Sequence, residues 1–572
     1  MSRAGRRASV ARASRATRAG RCALLLSIAL LTSGCARFFR GYAEAKPEGM
    51  ELIAEGGPYE HAPPALRGQV RLVFDDFGSL STDVLETYGV PWKLAVTAVV
   101  LDRAERTGAP RSLETFHAMT REYGFLQPRR ITNWEGPQPR LERPLGLVGG
   151  VASRGFPSVE IEIGNLGCAT CHAGPLYGPD GRPTGEAWLG LPNASIDVSG
   201  YADEVFRAMR AQLADVDAVL AGVREIFPGV GERELSTLRK HVIPAARAEL
   251  ELRDSIYGGL VPFANGGPGL QNGAGSLQFL FRSADAAALH ESAAWASAPE
   301  LSGTSLRWSV LTDGVYAPPG SPRYGPMRRD DVTDEHLRGL AGVVSLFVVG
   351  TQGIQPDRAL DAIPRVHDVM RFVHEMRPPP FPGRVDHALA SRGADVYGAE
   401  CASCHGTYSA GTRDVRLVEH PNRLVAQDRM RTDSVRWAAA DPEALGFLDG
   451  TGFGRVVSAR MAGGYVAPDL SGVWATAPYM HNGSIPTLWH LLHADERPVR
   501  FMVGGHALDY ERMGIAGALD DEGVYRYPAD WAPTSRPVVY DTREPGRGNG
   551  GHEFGGLTAE QRRALLEYMK VL

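Results

Sequence analysis

Cysteine is scarce in this sequence, with six in 572 residues. That number cannot support a disulfide framework once the groups below are accounted for. Long apolar runs are missing as well. No internal stretch reaches the roughly 20 residues that a membrane-spanning helix needs. An excess of positive charge is also lacking: 61 Lys and Arg face 66 Asp and Glu, a formal charge of −5. Residues 1–21 hold seven Arg and no acid, so a chain without them stands at −12. So acidic a body argues against nucleic acid as a partner. At this length a single core is excluded too, and two or more domains are expected. Gly and Pro are plentiful, at 67 and 40, which points to much loop and modest helix content.

Four of the six cysteines fall in two five-residue stretches that repeat each other: Cys168-Ala-Thr-Cys171-His172 and Cys401-Ala-Ser-Cys404-His405. Each is C-x-x-C-H, the attachment signature of a c-type haem. Two thiols add across the two vinyl groups of one porphyrin, and the following His supplies a neutral imidazole to the iron. A zinc site needs a second ligand pair nearby, and neither copy has one. A thioredoxin-like C-x-x-C belongs to a βαβ pattern, which neither stretch shows. Composition alone gives roughly 0.002 copies of such a motif, against two present. Two covalently bound haem c groups are therefore expected.

The N-terminus reads as a targeting segment. The basic stretch is followed by an apolar run from Cys22 to Leu31 and then Thr32-Ser33-Gly34-Cys35. This order is that of a secretory signal over 1–34. The small-small-Cys ending resembles a bacterial lipobox, with Thr32 where Leu or Val is usual, and implies a lipid anchor to the membrane on Cys35. The expected location is the periplasm or cell envelope, where covalent haem attachment also occurs in bacteria. Residues 35–60 read as a lipid-anchored tether and 61–150 as an N-terminal helical extension. A first cytochrome c-like haem domain with insertions is expected over 151–377. Pro378-Pro-Pro-Phe-Pro382 forms a linker, and a C-terminal cytochrome c domain follows over 383–572. The helix from Asp386 to Glu400, with Gly393 and Tyr397 ahead of Cys401, resembles the first helix of small cytochromes c. Thr558 to Leu572 resembles the last. The fold class is thus mainly α with extensive loops: two cytochrome c-like haem domains plus an N-terminal extension.

Three further stretches carry a wider resemblance. The longest runs from Ala467-Pro-Asp-Leu-Ser-Gly472 through Trp474 and Pro478-Tyr479-Met-His481-Asn482-Gly483 to Leu488. Trp188, with Asn193 five residues later, follows the first haem motif. Asp541-Thr542 and Gly548-Asn549-Gly-Gly551-His552-Glu-Phe554-Gly555 lie near the end. Together they resemble the bacterial di-haem family of cytochrome c peroxidases, methylamine dehydrogenase maturation enzymes and rubber oxygenases, and the last stretch looks most like the rubber-oxygenase branch. In the peroxidases a distal Met lies about fourteen residues past the motif His; here that position is Asp495, with His490, His493 and Met502 nearby. The resemblance instead implies His552 as the distal ligand of the second haem, opposite His405. It also implies a calcium-ligand position at Asn193. Where peroxidases carry a distal His before the loop Trp, this chain has Glu186. The first haem, on His172, is then left with an open distal face. Phe263, Phe279, Phe281 and Trp308, with Glu186, are candidates for its distal pocket.

The function expected from these readings is an exported di-haem c-type oxidoreductase. Its first haem would activate peroxide or dioxygen at an open iron position. Its second, bis-His haem would relay electrons to a soluble redox partner protein. The competing reading is a non-catalytic periplasmic electron-transfer cytochrome with both irons six-coordinate. A redox-sensing or docking module is a third.

Overall fold

The computed structural model describes residues 45–80, 84–154, 159–258, 265–280, 292–440 and 442–572. The leader, Cys35, Phe263 and Phe281 lie outside them. Helices hold 40% of the chain and strands 16%, so the fold is mainly helical with long irregular connections. No helix among the described residues is long and apolar enough to cross a membrane.

The N-terminal part pairs a small sheet with a helical layer. Strand β1 (Ala45–Pro47) is an edge strand. Helix α1 (Pro64–Phe74) starts with Pro at N1, where no amide hydrogen is needed. Strand β2 (Val90–Pro91) leads into helix α2 (Trp92–Thr107), which ends at Gly108 in the left-handed region. Helix α3 (Leu113–Glu122) follows. Strands β3 (Leu147–Arg154) and β4 (Val159–Leu166) form an antiparallel hairpin, and the sheet order is β1-β3-β4-β2. Two observations bear on the expected boundaries. Residues 45–60 are not a free tether: Ala45 to Pro47 pair with Ala152 to Gly150, and Tyr59 is buried beside Trp134. A boundary at 150/151 would cut the β3–β4 hairpin, whose two strands share one continuous register. Residues 61–150 are thus joined by strand pairing to the segment that leads into the first C-x-x-C-H stretch.

The first motif sits on helix α4 (Ala169–His172), and strands β5 (Ala173–Tyr177) and β6 (Pro183–Leu189) form the hairpin behind it. Helices α5 (Val198–Gln212) and α6 (Val216–Ile226) are capped by Asp197 and Asp215. They pack with α2 into one hydrophobic core, where Gly222 lets α6 approach Thr97 and Leu101. A second core joins α1 to helices α7 (Asp334–Gln352) and α8 (Ile363–Glu375).

The third core belongs to the C-terminal half. Helix α9 (His387–Glu400) is capped by Asp386 and runs into the second motif on helix α10 (Ala402–His405). Helix α11 (Leu488–Leu492) and strand β7 (Arg500–Val503) follow. Helix α12 (Ala559–Met569) opens with a capping box between Thr558 and Gln561 and crosses α9. The crossing point is Gly393, where a Cβ would stand 2.0 Å from the Ala564 carbonyl oxygen. The Pro-rich linker is held from both sides: Trp188 donates to the Arg377 carbonyl (3.1 Å) and Trp474 to that of Pro379 (3.2 Å).

Gly393→Ala is expected to cost about 1–3 kcal/mol through overpacking at this crossing. Gly398→Ala, on the same helix with nothing within 4 Å, should be neutral or stabilising by up to about 1 kcal/mol. Chemical denaturation of both variants checks the contrast. His506 generates a second expectation. It is 2% exposed, stacks on Tyr177 and has no partner at Nδ1; burial lowers its pKa to about 4. The unfolded chain protonates this ring near the ordinary value of about 6.5, and the folded chain does not. Stability is thus full above that value and falls by about 1.4 kcal/mol per pH unit as the pH drops toward 4. His506→Gln should flatten that part of a urea-midpoint profile.

Candidate functional site

The first motif lies where two hairpins meet. Gly167, just past β4, donates to the Gly146 carbonyl at 2.7 Å, and Thr170 Oγ1 donates to the same oxygen at 2.6 Å. Gly146 has φ +91°, and a Cβ there would stand 2.3 Å from the Thr170 nitrogen, so only glycine fits. After the motif, the His172 carbonyl accepts from Gly190 and the Cys171 carbonyl from Asn193. Cys168 packs against the second core and Cys171 against the first, so the site forms the seam between them. Burial lowers the His172 pKa to about 4, which keeps the imidazole neutral as an iron ligand requires.

The second motif continues from α9. Tyr397, packed on Tyr408 and Tyr568, donates to the Gly406 carbonyl at 2.9 Å and fixes the chain just past His405. His405 Nδ1 donates to the Pro468 carbonyl at 2.7 Å. That bond sets the tautomer and leaves Nε2 free. Across from it stands His552, with ring centroids 5.9 Å apart. Two opposed metal–imidazole bonds of roughly 2 Å, with roughly 1 Å from each nitrogen to its ring centre, give roughly 6 Å. The pair therefore fits one iron between them. His552 holds a left-handed backbone, φ +50°, a conformation costing on the order of 1 kcal/mol for a residue with a Cβ. Its Nδ1 is buried without a partner, and burial lowers its pKa to about 3.

His172 differs from His405 in this respect. Among the described residues no ring lies against it. The Pro299 backbone lies near this imidazole, whose Nδ1 is buried without a hydrogen-bond partner. The two C-x-x-C-H imidazoles thus each lie near a proline backbone, and these prolines sit in matching turns. Ala298-Pro-Glu-Leu-Ser-Gly303 and Ala467-Pro-Asp-Leu-Ser-Gly472 differ at one position in six. In each, the acidic side chain accepts from the serine amide two residues on: Glu300 from Ser302 at 2.9 Å, Asp469 from Ser471 at 3.1 Å. In each, the glycine leads into a 3-10 turn, Thr304–Leu306 and Val473–Ala475. The two turns touch, since a Cβ on Gly303 would meet the Asp469 carboxylate at 2.0 Å. Burial, and the nearby Asp469, push the Glu300 carboxyl well above its usual range. Motif reading around the C-x-x-C-H stretches passes over these turns, but comparing the chain with itself finds them.

The other expected residues resolve as follows. Glu186 accepts from Thr132 Oγ1 at 2.6 Å. Trp308 packs edge-on to His336 and its amide donates to Asn422; none of its contacts reaches His172. Phe279 lies in the helix Gly273–Leu280, its side chain outside the described residues. Asn193 is buried, donates to the Gly124 carbonyl and accepts from its own Ser195 amide; it lines a cleft with Ser297, Thr476 and Pro478. The fallback ligands point elsewhere: His490 faces Thr487 and Tyr525, His493 stacks on Trp489, and Met502 lies in β7 opposite Val539. His481 meets the Tyr465 hydroxyl at 3.1 Å, and its carbonyl accepts from Ser297. Asn482, from the same motif, donates to the Gly546 and Gly548 carbonyls at 3.1 Å. It ties the loop carrying His552 to the body.

Residues 464–502 match the family model described as RoxA-like, cytochrome c-like. The match supports the broad family of bacterial di-haem c-type cytochromes, implies covalently bound haem c and suggests a di-haem oxidoreductase. The matched segment holds Pro468, Asn482 and Arg497. The chain is also 32% identical over 239 residues to the uncharacterized protein y4iM of Sinorhizobium fredii, covering 35% of this chain and 52% of that protein. It is 28% identical over 264 residues to y4iJ of the same organism, covering 34% and 41%. The chain spans about half the length, or less, of these curated relatives.

Tyr408→Phe removes the oxygen that accepts from the Leu470 amide at 2.7 Å, beside Pro468. We expect a loss of about 1–2 kcal/mol in chemical denaturation, with haem content retained.

Proposed function

We propose that this chain is an exported di-haem c-type cytochrome oxidoreductase. Cys168, Cys171 and His172 would hold one haem, and Cys401, Cys404, His405 and His552 the other. Bound there, the haems supply an open iron position for peroxide or dioxygen at the first site and electron storage and relay at the second. The observation that carries this reading is the asymmetry of the imidazoles. His405 and His552 face each other at 5.9 Å, and no ring faces His172 among the described residues.

The protein's own part is binding, orientation and exclusion of water. Burial holds His172 neutral, and the Pro468 carbonyl keeps the Nδ1 proton on His405. Trp188 reaches from the first-motif hairpin onto the C-terminal core, which favours it as a neighbour of the path between the sites. Asn193 and the hydroxyl residues Ser297 and Thr476 of the same cleft bear oxygens of the type calcium takes. The acidic mature chain suits a basic soluble redox partner. We further propose the periplasm or cell envelope as its location, with a lipid anchor on Cys35.

One observation weakens the distal-pocket candidates and so favours the second reading, a non-catalytic electron carrier. Of the candidates for a distal pocket, Glu186 is bound to Thr132 and Trp308 packs on His336. Carbon monoxide titration of the reduced, fully loaded protein separates the two. The oxidoreductase takes up about one equivalent per two haems, and the carrier takes up none. His552→Ala should raise uptake to about two equivalents.

A further inference from the structure

The loop that carries His552 has no regular secondary structure from Gly548 to Gly551. Its upstream end is held by Asn482 and by Asp433, which accepts from the Gly548 amide at 3.1 Å. From Asn549 onward one side chain does most of the work. Arg497 Nη1 donates to the carbonyls of Asn549 (2.7 Å) and Gly551 (2.8 Å), and Nη2 to that of His552 itself (3.2 Å). The same guanidinium donates from Nη2 to the Leu491 carbonyl (3.0 Å) and from Nε to that of His490 (3.1 Å). Both oxygens belong to the last turn of α11, where carbonyls lack intrahelical partners.

A guanidinium has five N–H donors in a fixed plane. Here five backbone carbonyls use them, three on the loop and two on the helix end. No carboxylate forms an ion pair with Arg497 among the described residues, so the group serves as a template for the backbone. The position matters because His552 holds a left-handed φ of +50°. A chain left to itself moves out of that region. The other bond on the His552 backbone, from its amide to the Met430 carbonyl at 3.0 Å, fixes one side only.

We infer that Arg497 is the positioning residue for the distal imidazole of the second haem, holding His552 opposite His405 by gripping the carbonyls of residues 549, 551 and 552. The inference rests on the bis-imidazole reading of that site. It explains why an iron ligand can be carried on an irregular, glycine-rich loop. Lysine, with three donors on a flexible stem, cannot reproduce the planar fork.

The test uses the full-length, haem-loaded protein with three substitutions: Arg497→Ala, Arg497→Lys and His552→Ala. Haem content is measured first and should stay at two per chain in all three. Carbon monoxide uptake by the reduced protein should then rise from about one equivalent toward two in Arg497→Ala, as in His552→Ala. Arg497→Lys should fall between wild type and Arg497→Ala, with a high-spin component in the ferric absorption spectrum. If His552→Ala opens the second iron while both Arg497 variants keep wild-type uptake and spectra, the positioning role is wrong. If His552→Ala itself changes neither readout, the bis-imidazole reading has failed instead. Should Arg497→Ala not accumulate as folded protein, the lysine variant decides, because it keeps the charge and the aliphatic stem.

Discussion

The contact between His405 Nδ1 and the Pro468 carbonyl, 2.7 Å long, is the constraint from which the rest of the C-terminal half follows. It fixes the tautomer that leaves Nε2 unprotonated and ties the Pro468 turn to α10. Asp469 holds that turn through the Ser471 amide, Tyr408 holds it through the Leu470 amide, and the crossing of α9 and α12 at Gly393 places Tyr397 and Tyr568 behind it. Proline contributes because its fixed φ and missing amide hydrogen leave the turn few alternatives. A turn of matching sequence, Ala298 to Gly303, lies beside His172, and the two turns meet at Gly303 and Asp469.

Irregular backbone does the positioning on the distal side. The loop from Gly546 to His552 contributes no helix or strand, and its polar groups find partners in Asn482, Asp433 and Arg497. Buried backbone polar groups have to be paired somewhere, and here side chains do it. This gives a physical role to part of the long motif between Ala467 and Leu488. Pro468 meets the His405 imidazole, Asn482 meets the loop carrying His552, and Thr487 caps the helix whose end Arg497 joins to that loop.

Much of this was legible in the residues. The C-x-x-C-H stretches, the helix leading to Cys401, the final helix and its Thr558 cap all come from local chemistry, and the structure shows those elements where spacing puts them. The position of His552 opposite His405 was not derivable from local pattern. A lone His in a glycine-rich loop carries no period, and only the family resemblance singled it out. The strand pairing near the N-terminus was hidden for a related reason. Polar, glycine-rich composition describes residues 45–60 well, but Tyr59 and strand β1 find partners about 75–110 residues away, which composition does not encode. The matching Pro299 and Pro468 turns were present in the sequence throughout. They become meaningful only when both are found beside proximal histidines.

The central claim is that one iron is held between two imidazoles and the other by one. Iron-edge anomalous diffraction from crystals of the loaded protein tests it most directly. The account predicts two iron peaks per chain, one bracketed by His405 and His552 and one bonded to His172 with no protein ligand on its far face. A side-chain ligand on both faces of the His172 iron, or an iron at His405 with His552 turned away, would contradict it.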